Sequence, residues 1–65
     1  MVFREVERKL RANGWDVVRI KGSHYQFGHP DKPGVVTVPY HGNKKDISRA
    51  VLKNIEEGTG LSLEG

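Results

Sequence analysis

Two short runs of strand-like residues flank the dipeptide Gly22-Ser23, and this pattern constrains the fold more than any other feature. Residues 15–21 are rich in β-branched and aromatic side chains, and residues 24–29 alternate between polar and apolar. A two-residue connection with glycine first is typical of a β-hairpin turn. The two runs are therefore predicted to form an antiparallel pair, with His24 directly after the turn.

A helix is predicted before the hairpin, over residues 2–12. Phe3, Val6 and Leu10 recur there at the spacing that places side chains on one helical face. Asn13-Gly14 follows as a stop signal, because both residue types tolerate the left-handed conformation in which helices often end.

After the hairpin, residues 30–34 are predicted to form a loop, and a third strand over residues 35–38 is predicted to end at Pro39. Asp46 is predicted to cap a second helix that stops near Gly58. The predicted apolar stripe of this helix consists of Ile47, Ala50, Val51 and Ile55, with Leu52 beside it.

The predicted element order is helix, three strands, helix, which defines an α+β fold of the type αβββα. Short connections make the three-stranded sheet antiparallel, and both helices are expected to cover one face and leave the other in water. If Tyr25 and Phe27 point toward the helices, His24 lies on or beside the uncovered face. The whole chain, residues 1–65, is predicted to be a single domain. Residues 58–65 are expected to be a frayed tail from which Leu61 and Leu63 fold back.

Charge and composition narrow the function. Residues 1–55 contain all eleven Lys and Arg and only five acids, a net charge of +6, which favours a polyanionic partner such as nucleic acid. Cysteine is absent, so neither disulfides nor thiolate zinc sites are available. The N-terminal residues carry charges where a signal peptide is apolar, and no run approaches the length of a membrane span. We therefore expect a cytoplasmic protein without a membrane partner.

The candidate catalytic residue is His24, because histidine exchanges protons near neutral pH. Gly22 allows a phosphate to approach the backbone, Ser23 offers a hydroxyl, and Lys21 offers a positive charge. On RNA, such an imidazole can take the proton of a ribose 2′-hydroxyl or protonate the leaving oxygen. The alternative interpretation is an ordinary histidine at the end of a hairpin turn, and the residues alone leave both open.

A second group of candidates follows the third strand. His41 is a candidate accessory proton-transfer group or phosphate ligand, and Lys44 and Lys45 are candidates for binding RNA phosphates. Three imidazoles can in principle hold zinc, but His24, His29 and His41 have no acidic or cysteine partner at a recognisable ligand spacing. No metal site and no cofactor are therefore expected.

The motifs in this chain, in their order, resemble the HicA (YcfA-like) family of small mRNA interferase toxins. They are Asn13-Gly14-Trp15, Lys21-Gly22-Ser23-His24, His29-Pro30, and Val36-Thr37-Val38-Pro39 followed by His41. The resemblance implies a fold like the double-stranded-RNA-binding domain and ribosome-independent cleavage of mRNA with His24 as the catalytic residue. We expect this endoribonuclease to be metal-independent, with the ribose 2′-hydroxyl as the nucleophile. The resemblance also implies a HicB-like antitoxin as partner.

Several alternatives stay open at this point. A non-catalytic module that recognises duplex RNA by shape is consistent with the same fold and charge. A protein-interaction subunit that uses the open sheet face or a sheet edge is another. A toxin–antitoxin complex and a homo-oligomer both fit the chain.

Overall fold

The structure is a computed structural model, and it describes residues 1–42 and 44–63. Its elements follow in the order helix, three strands, helix, which confirms the predicted α+β class and the αβββα order. These elements are α1 (Phe3–Ala12), β1 (Asp16–Lys21), β2 (His24–His29), β3 (Lys32–Pro39) and α2 (Arg49–Thr59).

Helix α1 forms where the sequence places apolar residues on one helical face. Phe3, Val6 and Leu10 are all buried against the rest of the protein. At the start of the helix, Glu5 Oε1 accepts a hydrogen bond at 2.9 Å from the backbone N–H three residues before it. After the helix the chain turns at Gly14, whose φ of 90° lies in the left-handed region.

The three strands form one antiparallel sheet in the order β1–β2–β3. Gly22-Ser23 joins β1 to β2, and the glycine has the positive φ, 62°, that a glycine-first hairpin turn requires. The pairing of β1 with β2 contains one irregularity, between Val17 and Arg19. Beyond it the pairing is regular, so Lys21 lies opposite His24.

One face of the sheet is covered by the two helices, as predicted. On this face Phe27 lies opposite Val36 and Tyr25 lies opposite Val38, and of these four only Tyr25 is not fully buried. The ring of Phe3 in α1 lies 4.9 Å from that of Tyr25, centroid to centroid, in an edge-on arrangement. The aromatic alternation of β2 therefore builds the core.

The predicted loop over residues 30–34 is too long, because β3 already begins at Lys32. Regular pairing with β2 resumes at Val35, after an irregularity that contains Pro33 and Gly34. β3 is an edge strand, and edge strands with bulges accept proline because one side of the strand needs no ladder hydrogen bonds. The presence of proline and glycine therefore marked a bulge and not a loop.

The predicted cap of the second helix is wrong. Ser48 caps α2, since its Oγ accepts a hydrogen bond from the N–H of Val51 at 3.3 Å. Asp46 instead forms an isolated β-bridge with Val2, and the N–H of Ile47 donates to a carbonyl at the start of the chain at 2.7 Å. This pairing holds the segment extended and delays the start of the helix.

The predicted apolar stripe of α2 is also partly wrong. Leu52, Ile55 and Thr59 are the buried residues of the helix, whereas Ala50 is exposed. Ile47 is buried, but it lies before the helix. Because α2 begins later than predicted, its face toward the sheet is centred on Leu52 and Ile55.

Residues 58–63, the described part of the predicted tail, are packed against the helices and are not frayed. Helix α2 continues past Gly58 to Thr59 and is capped by Gly60, whose φ is 78°. Leu63 is only 2% exposed, its N–H donates to Glu56 Oε2 at 2.7 Å, and its carbonyl accepts from Lys9 Nζ at 3.1 Å. The last two residues lie outside the described part of the chain.

Candidate functional site

His24 lies on the sheet face away from the helices, which we call the open face. Successive side chains of a strand point to opposite faces, so His24 and Gln26 face away from Tyr25 and Phe27. His24 is exposed, and its side chain makes no hydrogen bond or ion pair with any residue in 1–42 or 44–63. Its imidazole is therefore not used to hold this part of the fold together.

The predicted residues of the Gly-Ser-His turn come together at one end of the open face. Lys21 is the pairing partner of His24 on β1, and Pro39 is its partner on β3. Gly22 and Ser23 are exposed, and no atom lies within 4 Å of the position that a Cβ on Gly22 would occupy. The backbone conformation and not crowding requires glycine there, and the space around the turn is open to a ligand.

The segment after β3 is held beside this turn by a backbone hydrogen bond. The N–H of Tyr40 donates to the carbonyl of Ser23 at 2.7 Å. This bond fixes Pro39 and His41 next to the Gly-Ser-His turn. A pocket of about 220 Å³ opens beyond Pro39, between the end of β3 and the start of α2. His41, Lys45 and Asp46 line it, and no residue of the Gly-Ser-His turn does.

The two lysines before α2 have different positions. Lys45 lines the pocket together with Ser48, the N-cap residue of α2. Lys44 is exposed and does not line the pocket. Of the two lysines, only Lys45 shares a pocket with Pro39, the strand partner of His24.

His29, the other histidine of β2, has a structural role. Its Nδ1 accepts a hydrogen bond from the N–H of Asp31 at 3.0 Å, and its Nε2 lies 3.1 Å from the carbonyl of Asn13, to which a protonated Nε2 donates. The ring also packs edge-on against Trp15 at 5.2 Å between centroids. The His-Pro motif therefore joins the end of α1 to the β2–β3 turn.

The structure does not gather the histidines into a metal site. In the described ranges, no group of three or more His, Asp or Glu side chains is arranged to hold a metal ion, and His24, His29 and His41 stay apart. Within the same ranges no helix has the length and apolar character of a membrane span.

Three further residues of the open face were missed by the sequence analysis. Arg19 and Thr37 are the strand partners of Gln26, so these three residues form a row directly beside that of His24. Arg19 and Thr37 are exposed, and Gln26 is half-buried. The alternation that places His24 on this face also places Gln26 there, but the partners on β1 and β3 required the observed register.

The fold and this site define a small α+β protein with an exposed imidazole beside lysine and arginine side chains. The sequence profile of the family described as "HicA toxin of bacterial toxin-antitoxin" matches residues 3–61 of the 65-residue chain. The chain belongs to this family, so it is a toxin of a bacterial toxin–antitoxin system and has an antitoxin as its partner. A comparison with curated proteins gave no match.

Proposed function

We propose that this toxin is a metal-independent endoribonuclease that cleaves mRNA without the ribosome and uses His24 as its catalytic residue. The observation that carries the proposal is the contrast between two histidines on one strand. The ring of His29 is fixed by Trp15 and by two backbone partners, whereas the ring of His24 is exposed and contributes nothing visible to the fold. Such an imidazole is available to exchange protons with a substrate.

The reaction that fits one imidazole without a metal uses the nucleophile already present in RNA. The ribose 2′-oxygen attacks the adjacent phosphorus, a 2′-O–P bond forms, and the bond from phosphorus to the 5′-oxygen breaks. His24 either takes the 2′-hydroxyl proton or gives a proton to the departing 5′-oxygen. The products are a 2′,3′-cyclic phosphate and a 5′-hydroxyl, and no oxidant or water is consumed.

The neighbouring cations are suited to hold the phosphate. Lys21 on β1 lies directly opposite His24 on the neighbouring strand β2. Its ammonium group would offset the charge that develops on the phosphate oxygens. The backbone N–H groups of Gly22 and Ser23 are further donors at the exposed turn. Lys45 and His41 would contact the RNA strand from the adjacent pocket, with Lys44 contributing long-range attraction.

The antitoxin partner is proposed to be a HicB-like protein that covers the open face and the Gly-Ser-His turn. An exposed catalytic histidine needs such a cover, because nothing within the described residues shields it. We place this reaction in the cytoplasm, where mRNA is found.

The experiment that tests the proposal is cleavage of single-stranded RNA by the purified protein, compared with His24→Ala. We expect the wild type to cut RNA in the presence of a chelator and His24→Ala to be slower by about 10²- to 10⁴-fold, because proton transfer contributes that much. RNA with 2′-O-methyl groups should stay intact, since it lacks the nucleophile. Arg8→Ala, at an exposed position of α1 outside the site, is the control, and we expect it to retain the activity.

Equal cleavage by His24→Ala, or cleavage of 2′-O-methyl RNA, would contradict the mechanism. If the wild type binds RNA and leaves it intact, the chain is instead the non-catalytic RNA-binding module that the sequence analysis left open. Circular dichroism of each variant shows whether a loss of activity reflects a loss of folding.

A further inference from the structure

We propose that the open face beside His24 is the binding surface for the RNA strand, and that Arg19, Gln26 and Thr37 contact the nucleotide next to the cleavage site. This proposal rests on the proposed function, because it identifies how the same site holds its substrate. It adds three residues that are not part of the Gly-Ser-His turn.

The strand register builds two parallel rows of side chains on this face. Arg19, Gln26 and Thr37 are paired across β1, β2 and β3. The neighbouring row pairs Lys21, His24 and Pro39 in the same way. Residues two apart along a strand share a face and are separated by about 6.8 Å, so the second row lies about one nucleotide away from His24.

The charge of the two rows fits a polyanion. Each row begins with a cation on β1, Lys21 in one and Arg19 in the other, and neither row contains an acid. The acid of β1, Asp16, lies beyond the second row and forms an ion pair with Arg11. An RNA backbone laid along β1 would therefore meet one positive charge per row.

The remaining side chains of the second row suit nucleobases. The amide of Gln26 and the hydroxyl of Thr37 each both donate and accept hydrogen bonds, as base edges require. All five Phe, Trp and Tyr residues pack on the helix side or around it, so the flat groups on this face are the imidazole of His24 and the guanidinium of Arg19. We infer that bases over β2 and β3 are recognised mainly by hydrogen bonds to Gln26 and Thr37.

The next row along the sheet marks the end of the basic surface. Gly28 pairs there with Asp16 on β1 and with Val35 on β3, and Val18 and Val35 beside it are 60% and 52% exposed. A carboxylate and two exposed valines do not favour a phosphate, so the proposed RNA contacts are confined to the nucleotide at the cut and the one beside it.

The test measures binding of a short single-stranded RNA to the full chain carrying His24→Ala, so that the RNA stays intact. Fluorescence anisotropy over a series of salt concentrations gives the affinity and its salt dependence. We expect a further Arg19→Ala change to weaken binding about 3- to 10-fold and to reduce the slope of log K against log salt by about 0.7, the value for one phosphate contact on a single strand.

Arg8→Ala is the matched control, because Arg8 is an exposed arginine on the side of α1 away from the core. We expect it to leave the affinity and the salt slope unchanged. Gln26→Ala and Thr37→Val should leave the salt slope unchanged but reduce the difference in affinity among homopolymers of the four bases. Chemical-shift mapping of backbone amides on RNA addition checks the surface without these substitutions, and shifts should concentrate in the two rows.

Equal losses from Arg8→Ala and Arg19→Ala, or shifts confined to the helices, would overturn the proposal. Shifts on the open face with the antitoxin but not with RNA would assign this face to the antitoxin and also overturn it. The outcome is separate from that of the cleavage assay. If RNA binds the open face but the wild type never cuts it, only the proposed reaction is contradicted. If the wild type cuts RNA that makes no contact with the open face, only this inference is contradicted.

Discussion

At the scale of single residues, the two histidines that begin and end β2 lie in opposite environments. His24 is exposed on the open face, while His29 is packed against Trp15 and linked to the backbone at Asn13 and Asp31. Residue type alone does not separate a candidate proton-transfer group from a structural one. The neighbours of each ring make the distinction.

This contrast predicts different effects on stability. We expect His29→Ala to lower the free energy of unfolding by about 1–3 kcal/mol, since it removes two hydrogen bonds and a ring contact. His24→Ala should change it by less than about 0.5 kcal/mol, as is typical of exposed positions. Urea unfolding followed by circular dichroism measures both. A large loss for His24→Ala would mean that this histidine is part of the fold.

Gly14 is the residue where a glycine is most strictly required. Its φ is 90°, and a Cβ built on it would lie 2.6 Å from His29 Nε2. Gly34 has a similar φ of 80° but no atom within 4 Å of its Cβ position. A comparison of alanine substitutions at the two sites therefore separates the destabilisation due to backbone strain from that due to steric clash.

We predict that Gly34→Ala destabilises the protein by about 1–2 kcal/mol through backbone strain alone. Gly14→Ala should cost at least about 1 kcal/mol more, because the new methyl group displaces the ring of His29. Thermal and urea unfolding of both variants test this order. Equal effects would show that the ring moves aside without cost.

At the scale of the elements, the start of α2 shows how contacts distant in sequence set a helix boundary. Asp46 is a residue type that often caps helices, but its backbone pairs with Val2, and Ser48 provides the cap two residues later. The consequence is a helix whose buried face is centred on Leu52 and Ile55. It also places the cap of α2 at the pocket lined by His41 and Lys45.

The hydrogen bond of the Ser48 cap predicts a measurable contribution to stability. Ser48→Ala removes the acceptor for the Val51 N–H and should lower the free energy of unfolding by about 1 kcal/mol. Ser62→Ala is the control, because Ser62 is exposed and lies outside the helices, and we expect a change below about 0.5 kcal/mol. Equal values for the two variants would show that the cap contributes nothing to stability.

At the scale of the whole molecule, stability depends on one small core. A chain of 65 residues is expected to have a free energy of unfolding of about 3–10 kcal/mol. Leu63, near the end of the chain, belongs to this core and is tied to both helices through Lys9 of α1 and Glu56 of α2. The C-terminal segment thus joins two elements that are far apart in sequence.

We therefore predict that Leu63→Ala lowers the free energy of unfolding by about 2–4 kcal/mol, since it leaves a cavity in the core. Leu61→Ala, at a half-buried position, should cost about 1 kcal/mol. Denaturant unfolding of the two variants provides the comparison. A smaller effect at Leu63 than at Leu61 would show that the end of the chain does not support the core.

Much of this molecule could be predicted from local sequence. The order of elements follows from periodicity and from turn residues such as Gly22-Ser23, because both act over a few neighbouring residues. The alternation of Tyr25 and Phe27 also placed His24 on the open face, since side-chain direction along a strand is a local property. The motifs indicated the HicA family, and the family profile confirmed it.

Only the tertiary structure decided the features that depend on distant pairs. The bridge from Val2 to Asp46 moved the start of α2. Leu63 folds back as expected, but its partners Lys9 and Glu56 on the two helices were not predicted. The register across three strands set Arg19 and Thr37 beside Gln26. Sequence by itself determined the type and order of the elements and which way β2 faces, because these depend on neighbouring residues, whereas the bounds of β3 and α2 and the partners of each residue emerged only when separate elements packed together.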